Sequence, residues 1–139
     1  MVGIIIAAHL RLADELLNAA RIITGSRLDN FRTVSINIDD KPDQARKKLL
    51  DAVREVNTPD GTVILVDMFG GTPSNLSLSL LSRGKIEIIT GVNLPMIIEA
   101  AGSSHRVSLA ELISLLTATG QRGIRSAGTI LETDVVTGK

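Results

Sequence analysis

The chain has 139 residues, 44% hydrophobic and 22% charged, a balance that suits one folded domain with a sizeable core and excludes a disordered segment. Its 15 basic and 15 acidic side chains cancel, and it has two Phe but no Trp or Tyr, so neither a basic nucleic-acid surface nor an aromatic stacking platform is expected. It has no cysteine, which excludes disulfides, thiolate metal sites and cysteine nucleophiles, and no apolar run approaches the roughly 20 residues of a membrane span.

Residues 3–9, GIIIAAH, are a continuous apolar run closed by a histidine. Such a run suits a strand buried on both faces of a helix-covered parallel sheet. Residues 11–24 then space Leu12, Leu16, Ala19, Ala20 and Ile23 along one helix face, with Gly25 as the stop. Residues 33–38, TVSINI, alternate as a second strand would. Asp39, Asp40 and Pro42 open a helix to about Val56, with Ala45, Leu49, Ala52, Val53 and Val56 inward. Residues 62–66, TVILV, read as a third strand ending at Asp67.

The loop MFGGT leads to a helix over 73–81, with Thr72 before Pro73 as a candidate N-cap. Residues 85–90 read as a fourth strand, and Pro95 starts a short helix to about residue 101. A last helix over 108–119 has Ser108 and Glu111 in capping-box spacing. Residues 123–136, GIRSAGTILETDVV, carry a β-branched segment that predicts a fifth strand. Alternating strands and helices imply right-handed βαβ units, hence an α/β, doubly wound, mainly parallel sheet in one domain.

Chemistry is expected at the carboxyl ends of the strands. In a sheet ordered 2-1-3-4 the first and third strands are neighbours, which brings His9 beside Asp67. A carboxylate on one imidazole nitrogen fixes the tautomer and leaves the other nitrogen's lone pair free. Gly70, Gly71 and Thr72 lead into a helix whose N-terminus favours an anion. Together these suit phosphoryl transfer onto histidine. Taken singly, each has a plainer reading, as a satisfied strand-end histidine or an ordinary glycine turn. Asn93, in GVNLPM after the fourth strand, is expected to shape the same rim through backbone hydrogen bonds. His105 is expected to be exposed and is given no role, and the two histidines share no metal-ligand spacing.

GIIIAAH followed by RLADELLNAARIITG, VDMFGGTPSNLS and GVNLPMIIEA resembles, in that order and over nearly the whole chain, the enzyme IIA domain of the mannose class of the bacterial phosphotransferase system. The resemblance implies a single domain over residues 1–139 and a cytoplasmic phosphocarrier. His9 would accept a phosphoryl group from the carrier protein HPr and pass it to a IIB component for sugar uptake, with membrane contact only through the transporter complex. Asp67 would orient His9, and the Gly70–Thr72 amides with the Thr72 hydroxyl would hold the phosphoryl oxygens. No metal or organic cofactor is implied. The family also forms homodimers in which a C-terminal strand, here 124–131, adds antiparallel to the partner's sheet.

One position departs from the pattern: Leu10 stands where the family usually has glycine after the histidine. Its side chain would narrow the approach to His9 or alter the loop backbone, which could make a phosphorylation-dead binding module, or would give a partner protein an apolar contact. A regulatory phosphocarrier whose phosphorylation controls a partner is the other alternative to transport. A response-regulator receiver fits less well, because Ala7, Ala8 and His9 occupy the place of its acidic metal ligands. The glycine fingerprint of a dinucleotide-binding domain is absent after the first strand.

Overall fold

The computed structural model describes residues 1–68 and 72–131. The elements run β1 (Gly3–His9), α1 (Leu12–Thr24), β2 (Phe31–Ile36), α2 (Pro42–Val56), β3 (Thr62–Val66), α3 (Thr72–Leu78), β4 (Ile86–Thr90), α4 (Leu94–Ser103) and α5 (Leu109–Arg122). The four strands form one parallel sheet in the expected order β2-β1-β3-β4.

The apolar run of β1 is buried on both faces because each face meets a helical layer. Ile4, Ile6 and Ala8 join the core under α1, α4 and α5 together with Val63 and Leu65 of β3. Ile5 and Ala7 face the other way with Ile64 and Val66, against Ala45, Leu49 and Ala52 of α2. Full burial of each such isoleucine contributes roughly 1.5–3 kcal/mol. A side-chain period of two, apolar at every step, therefore fixes a sheet covered on both sides.

Several boundaries differ from the sequence expectation for local physical reasons. β2 starts and ends two residues earlier than 33–38. Phe31 is pulled into the core, and a turn follows Ile36 in which the Asn37 amide donates to Asp40 Oδ2 at 3.0 Å. α1 buries Ala13, Leu17 and Ala20, whereas Leu12 and Ile23, expected inward, are exposed. The small alanines let the helix lie close on the sheet, which turns the larger side chains outward. α2 buries Ala45, Leu49 and Ala52 as expected, and the Lys41 amide before its first turn donates to Gln44 Oε1 at 3.2 Å.

α3 ends at Leu78, short of the expected 81, and passes into a turn closed by Leu80 N–H donating to the Ser77 carbonyl at 2.9 Å. Residues 127–131, expected as part of a fifth strand, are helical. Their amides close locally on Ser126, the Ile130 N–H donating to its carbonyl at 3.0 Å and the Thr129 N–H to its Oγ at 3.4 Å. Ser126 thus acts as a helix-starting residue, which overrides the β preference of Thr129 and Ile130. The remaining residues at the C-terminus lie outside the described ones.

α4 and α5 hold the far side of the molecule together. The Asn93 side chain accepts from the Met96 amide at 3.1 Å, capping α4, and donates to the Gly120 carbonyl on α5 at 2.9 Å. A Cβ at Gly120 would lie 2.7 Å from Met96 Cε and would push the end of that flexible side chain aside. Ser108 accepts from the Glu111 amide at 3.2 Å, the capping half that its spacing predicts.

Candidate active site

Two neighbouring parallel strands deliver the principal pair. His9 is the last residue of β1, and Asp67 directly follows β3. The ring nitrogen His9 Nδ1 lies 2.7 Å from Asp67 Oδ2, and the same oxygen accepts the His9 backbone N–H at 3.1 Å. The other carboxylate oxygen, Oδ1, accepts the Met68 amide at 3.0 Å. Asp67 therefore reads both the backbone and the ring of one residue, which fixes the imidazole plane relative to the sheet.

Burial acts to raise the Asp67 carboxyl, but the hydrogen bonds from the His9 ring and amide, the nearby imidazole and the Met68 amide outweigh it and hold the group below its ordinary 3.8. A carboxylate kept ionised can only accept, so the proton of the pair sits on Nδ1, and in the neutral ring this leaves the lone pair on Nε2. The imidazole side chain is 47% exposed while that of Asp67 is 12% exposed. The carboxylate is thus sheltered and the imidazole is open.

His9 opens onto a cavity of about 490 Å³ that it shares with Leu10, Ile36, Asn37, Ile38, Asp40 and Thr72. Thr72 is the first residue of α3 rather than the residue before it. Gly70 and Gly71 lie outside the described residues. Asn93 is absent from this cavity. Its side chain is spent on α4 and α5, while the adjoining Val92 amide ties its loop to the Val66 carbonyl at 2.9 Å, one residue before Asp67. His105 is exposed. Among the described residues, no group of three or more His, Cys, Asp or Glu is placed to hold a metal.

Leu10 has a left-handed backbone, φ +52°. Its amide donates to the Ile36 carbonyl at 3.1 Å, continuing the β1–β2 pairing just past His9 while the chain turns into α1. For a residue with a Cβ this conformation costs about 1 kcal/mol. The sequence marks Leu10 as unusual; its backbone angle is visible only in the structure.

The turn after β2 was missed by sequence reasoning as a wall of the site. Asp40 accepts from Lys48 Nζ at 2.7 Å and from the Asn37 amide, and these bonds, led by the Lys48 one, hold its carboxyl below the ordinary range. Topology was the available signal, since a strand paired parallel with β1 must release its exit turn next to His9.

The fold and the paired His9–Asp67 at a strand-end cavity define a class of small α/β proteins. The model of the family described as "PTS system fructose IIA component" matches residues 3–116. The chain belongs to this fructose/mannose IIA family of the phosphotransferase system. It is 28% identical over 127 residues to the mannose-specific EIIAB component of Escherichia coli K12, covering 90% of this chain and 39% of that protein. It therefore spans well under half the length of that relative. It is 29% identical to the sorbose-specific EIIA component of Lacticaseibacillus casei over 81% of each chain. Among solved structures it is similar to an EIIA component from Streptococcus agalactiae, with a TM-score of 0.82 and 28% identity over 93% of this chain and 99% of that one. It is also similar to a mannose/sorbose-specific IIA subunit from Enterococcus faecalis, with a TM-score of 0.79 and 31% identity over 89% and 92% of the two chains.

Among the described residues no helix is long and apolar enough to cross a membrane.

Proposed function

We propose that the protein is a cytoplasmic phosphocarrier of the sugar phosphotransferase system, accepting a phosphoryl group from phospho-HPr on His9 and passing it to a IIB component. The observation that carries this reading is the 2.7 Å contact between His9 Nδ1 and Asp67 Oδ2, with the ring open to a cavity beyond the strand ends. The Nε2 lone pair attacks phosphorus, the bond from phosphorus to the donor atom breaks, and the donor keeps that electron pair. The proton on Nδ1 stays within the Asp67 hydrogen bond, where the carboxylate stabilises the positive charge the ring gains as the new P–N bond forms. Reversal of these roles hands the group to IIB.

The Gly70 and Gly71 amides and the Thr72 hydroxyl are assigned to the phosphoryl oxygens. Thr72 lining the cavity with His9 supports its part in this. No step calls for a metal or organic cofactor. A homodimer belongs to the same reading, and sedimentation at micromolar concentration tests it. Exchange of a C-terminal strand would require the turn of helix at 127–131 to open.

The test is incubation with phosphoenolpyruvate, enzyme I and HPr. Acid-labile, alkali-stable phosphate is expected on the wild type and absent from His9→Ala. A wild type that takes no label from phospho-HPr overturns the phosphocarrier reading.

A further inference from the structure

β2 is an end strand of the sheet, so one row of its backbone groups has no strand to pair with. The pairing on its other side fixes which row that is. The Asn30 and Ile36 carbonyls accept the Ile4 and Leu10 amides at 2.9 and 3.1 Å. Backbone groups alternate sides along a strand, so those of Phe31, Thr33 and Ser35 point outward. An open row of this kind is a template for a further strand.

The row is closed at both ends. The Phe31 amide donates to the Leu28 carbonyl at 3.0 Å, and Arg32 Nη1 donates to the Phe31 carbonyl at 2.8 Å and the Asp29 carbonyl at 2.9 Å. At the other end Lys48 Nζ donates to the Ser35 carbonyl at 3.1 Å, and the Asn37 amide to Asp40 Oδ2 at 3.0 Å. A carboxylate aims each cation. Glu55 Oε2 accepts from Arg32 Nε at 3.1 Å, and Asp40 Oδ2 from Lys48 Nζ at 2.7 Å. The Arg32 and Lys48 side chains are only 38% and 40% exposed, so they lie along the strand edge instead of reaching into water. Only the Thr33 amide and carbonyl and the Ser35 amide are left open between them.

We propose that Arg32 and Lys48 close the free edge of β2 against strand addition by a second copy of this chain. Identical edges can pair antiparallel about a two-fold axis with no other partner. Centred on Val34, such a pairing has Thr33 of one copy exchange hydrogen bonds with Ser35 of the other. That exchange needs the Ser35 carbonyl, which Lys48 holds. The next pair outward needs the Phe31 carbonyl and the Asn37 amide, which Arg32 and Asp40 hold. A second copy would also bring its own Arg32 and Lys48 to the same short ladder, where like charges repel. Loss of the two cations frees both carbonyls and removes that repulsion. None of this depends on His9.

The experiment follows sedimentation and amide hydrogen exchange of the full chain for wild type and Arg32→Thr/Lys48→Ala. In wild type the Thr33 and Ser35 amides should exchange fast, while that of Val34, which faces β1, is protected. The double variant should approach about twice the wild-type mass as its concentration rises, as two-fold pairing requires, and gain protection at Thr33 and Ser35. Adding Ser35→Pro should restore the wild-type mass, because proline removes an outward N–H that β1 does not use. Arg46→Ala/Lys47→Ala takes the same charge from exposed positions of α2 and should sediment as wild type. Arg32→Thr alone keeps the Lys48–Asp40 contact, frees the Phe31 carbonyl and should associate more weakly, which keeps the test open if the double variant loses its fold. Wild-type mass in both variants overturns the proposal. So does association that the α2 control shares or that persists with Ser35→Pro. Thr33 and Ser35 amides already protected in wild type overturn it as well, since the edge would then be occupied.

Discussion

Two loops at the same end of the sheet obey local rules to different degrees. The loop after β4 is conventional throughout. Gly91 takes the positive φ, Asn93 is extended and accepts from the Met96 amide, and Pro95 sits in the first turn of α4. The loop after β1 breaks the same rules. Leu10 takes the positive φ, and Arg11 stands before α1 at ψ 9° with no capping hydrogen bond, its cation at the positive end of the helix dipole. The first loop builds structure. The second holds His9 out on a strained connection next to an aspartate, and strain of this kind collects where a fold carries function.

Breaking each loop should therefore have opposite signatures. Asp67→Asn carries the largest expected effect and falls on chemistry. An asparagine can keep its amide oxygen on the His9 N–H and Nδ1–H but carries no charge to stabilise the positive ring that forms as phosphorus bonds to Nε2. Phosphorylation of His9 should slow about 100-fold or more, with melting within a few degrees of wild type. Normal kinetics in this variant remove Asp67 from the mechanism. Asn93→Ala falls on structure instead. It loses the α4 cap and the bond to the Gly120 carbonyl, and should cost about 1–2 kcal/mol, with a drop in melting temperature on the order of 5 °C. Its transfer rate should fall no more than a few-fold. A collapse in rate with unchanged melting would make the β4 loop part of the site and erase the contrast.

The same contrast governs what was legible in the sequence. β1 and β3 are readable because being apolar at every step admits only a strand covered on both faces, and the two strand ends then bring His9 to Asp67. The Ser108 cap is readable because capping chemistry is local, whereas Asn93, expected at the rim of the site, instead caps α4 and binds the Gly120 carbonyl. α1 was turned by about one residue because the pattern weights Leu12 and Ile23 by hydrophobicity, whereas packing favours the smaller Ala13 and Ala20. β2 slipped because TVSINI alternates through Ile38, and only the Asn37–Asp40 hydrogen bonds end the strand at Ile36. Residues 127–131 combine strong β formers with Ser126, and the local hydrogen bonds to Ser126 decide for a helical turn. The strain at Leu10 is a backbone angle that no composition or spacing encodes.

Acid separates the two loops most finely, because only one is secured by a titrating group. The ordinary carboxyl value is 3.8, and the folded value of Asp67 lies below it, as its hydrogen bonds from His9 and Met68 outweigh the opposing effect of burial. A depressed folded value means that the unfolded chain binds the proton first, so the stability Asp67 contributes is fully present above 3.8 and is lost as pH falls through the lower folded value. Wild type should then exceed Asp67→Asn in stability at neutral pH, with the gap closing below 3.8, as read by urea melts across the acid range. Asn93→Ala has no such group, and its deficit should remain nearly constant over the same range. A wild-type advantage over Asp67→Asn that persists undiminished well below 3.8 would mean that the His9–Asp67 contact does not depend on an ionised carboxylate, and the assignment of the proton to Nδ1 would lose its basis.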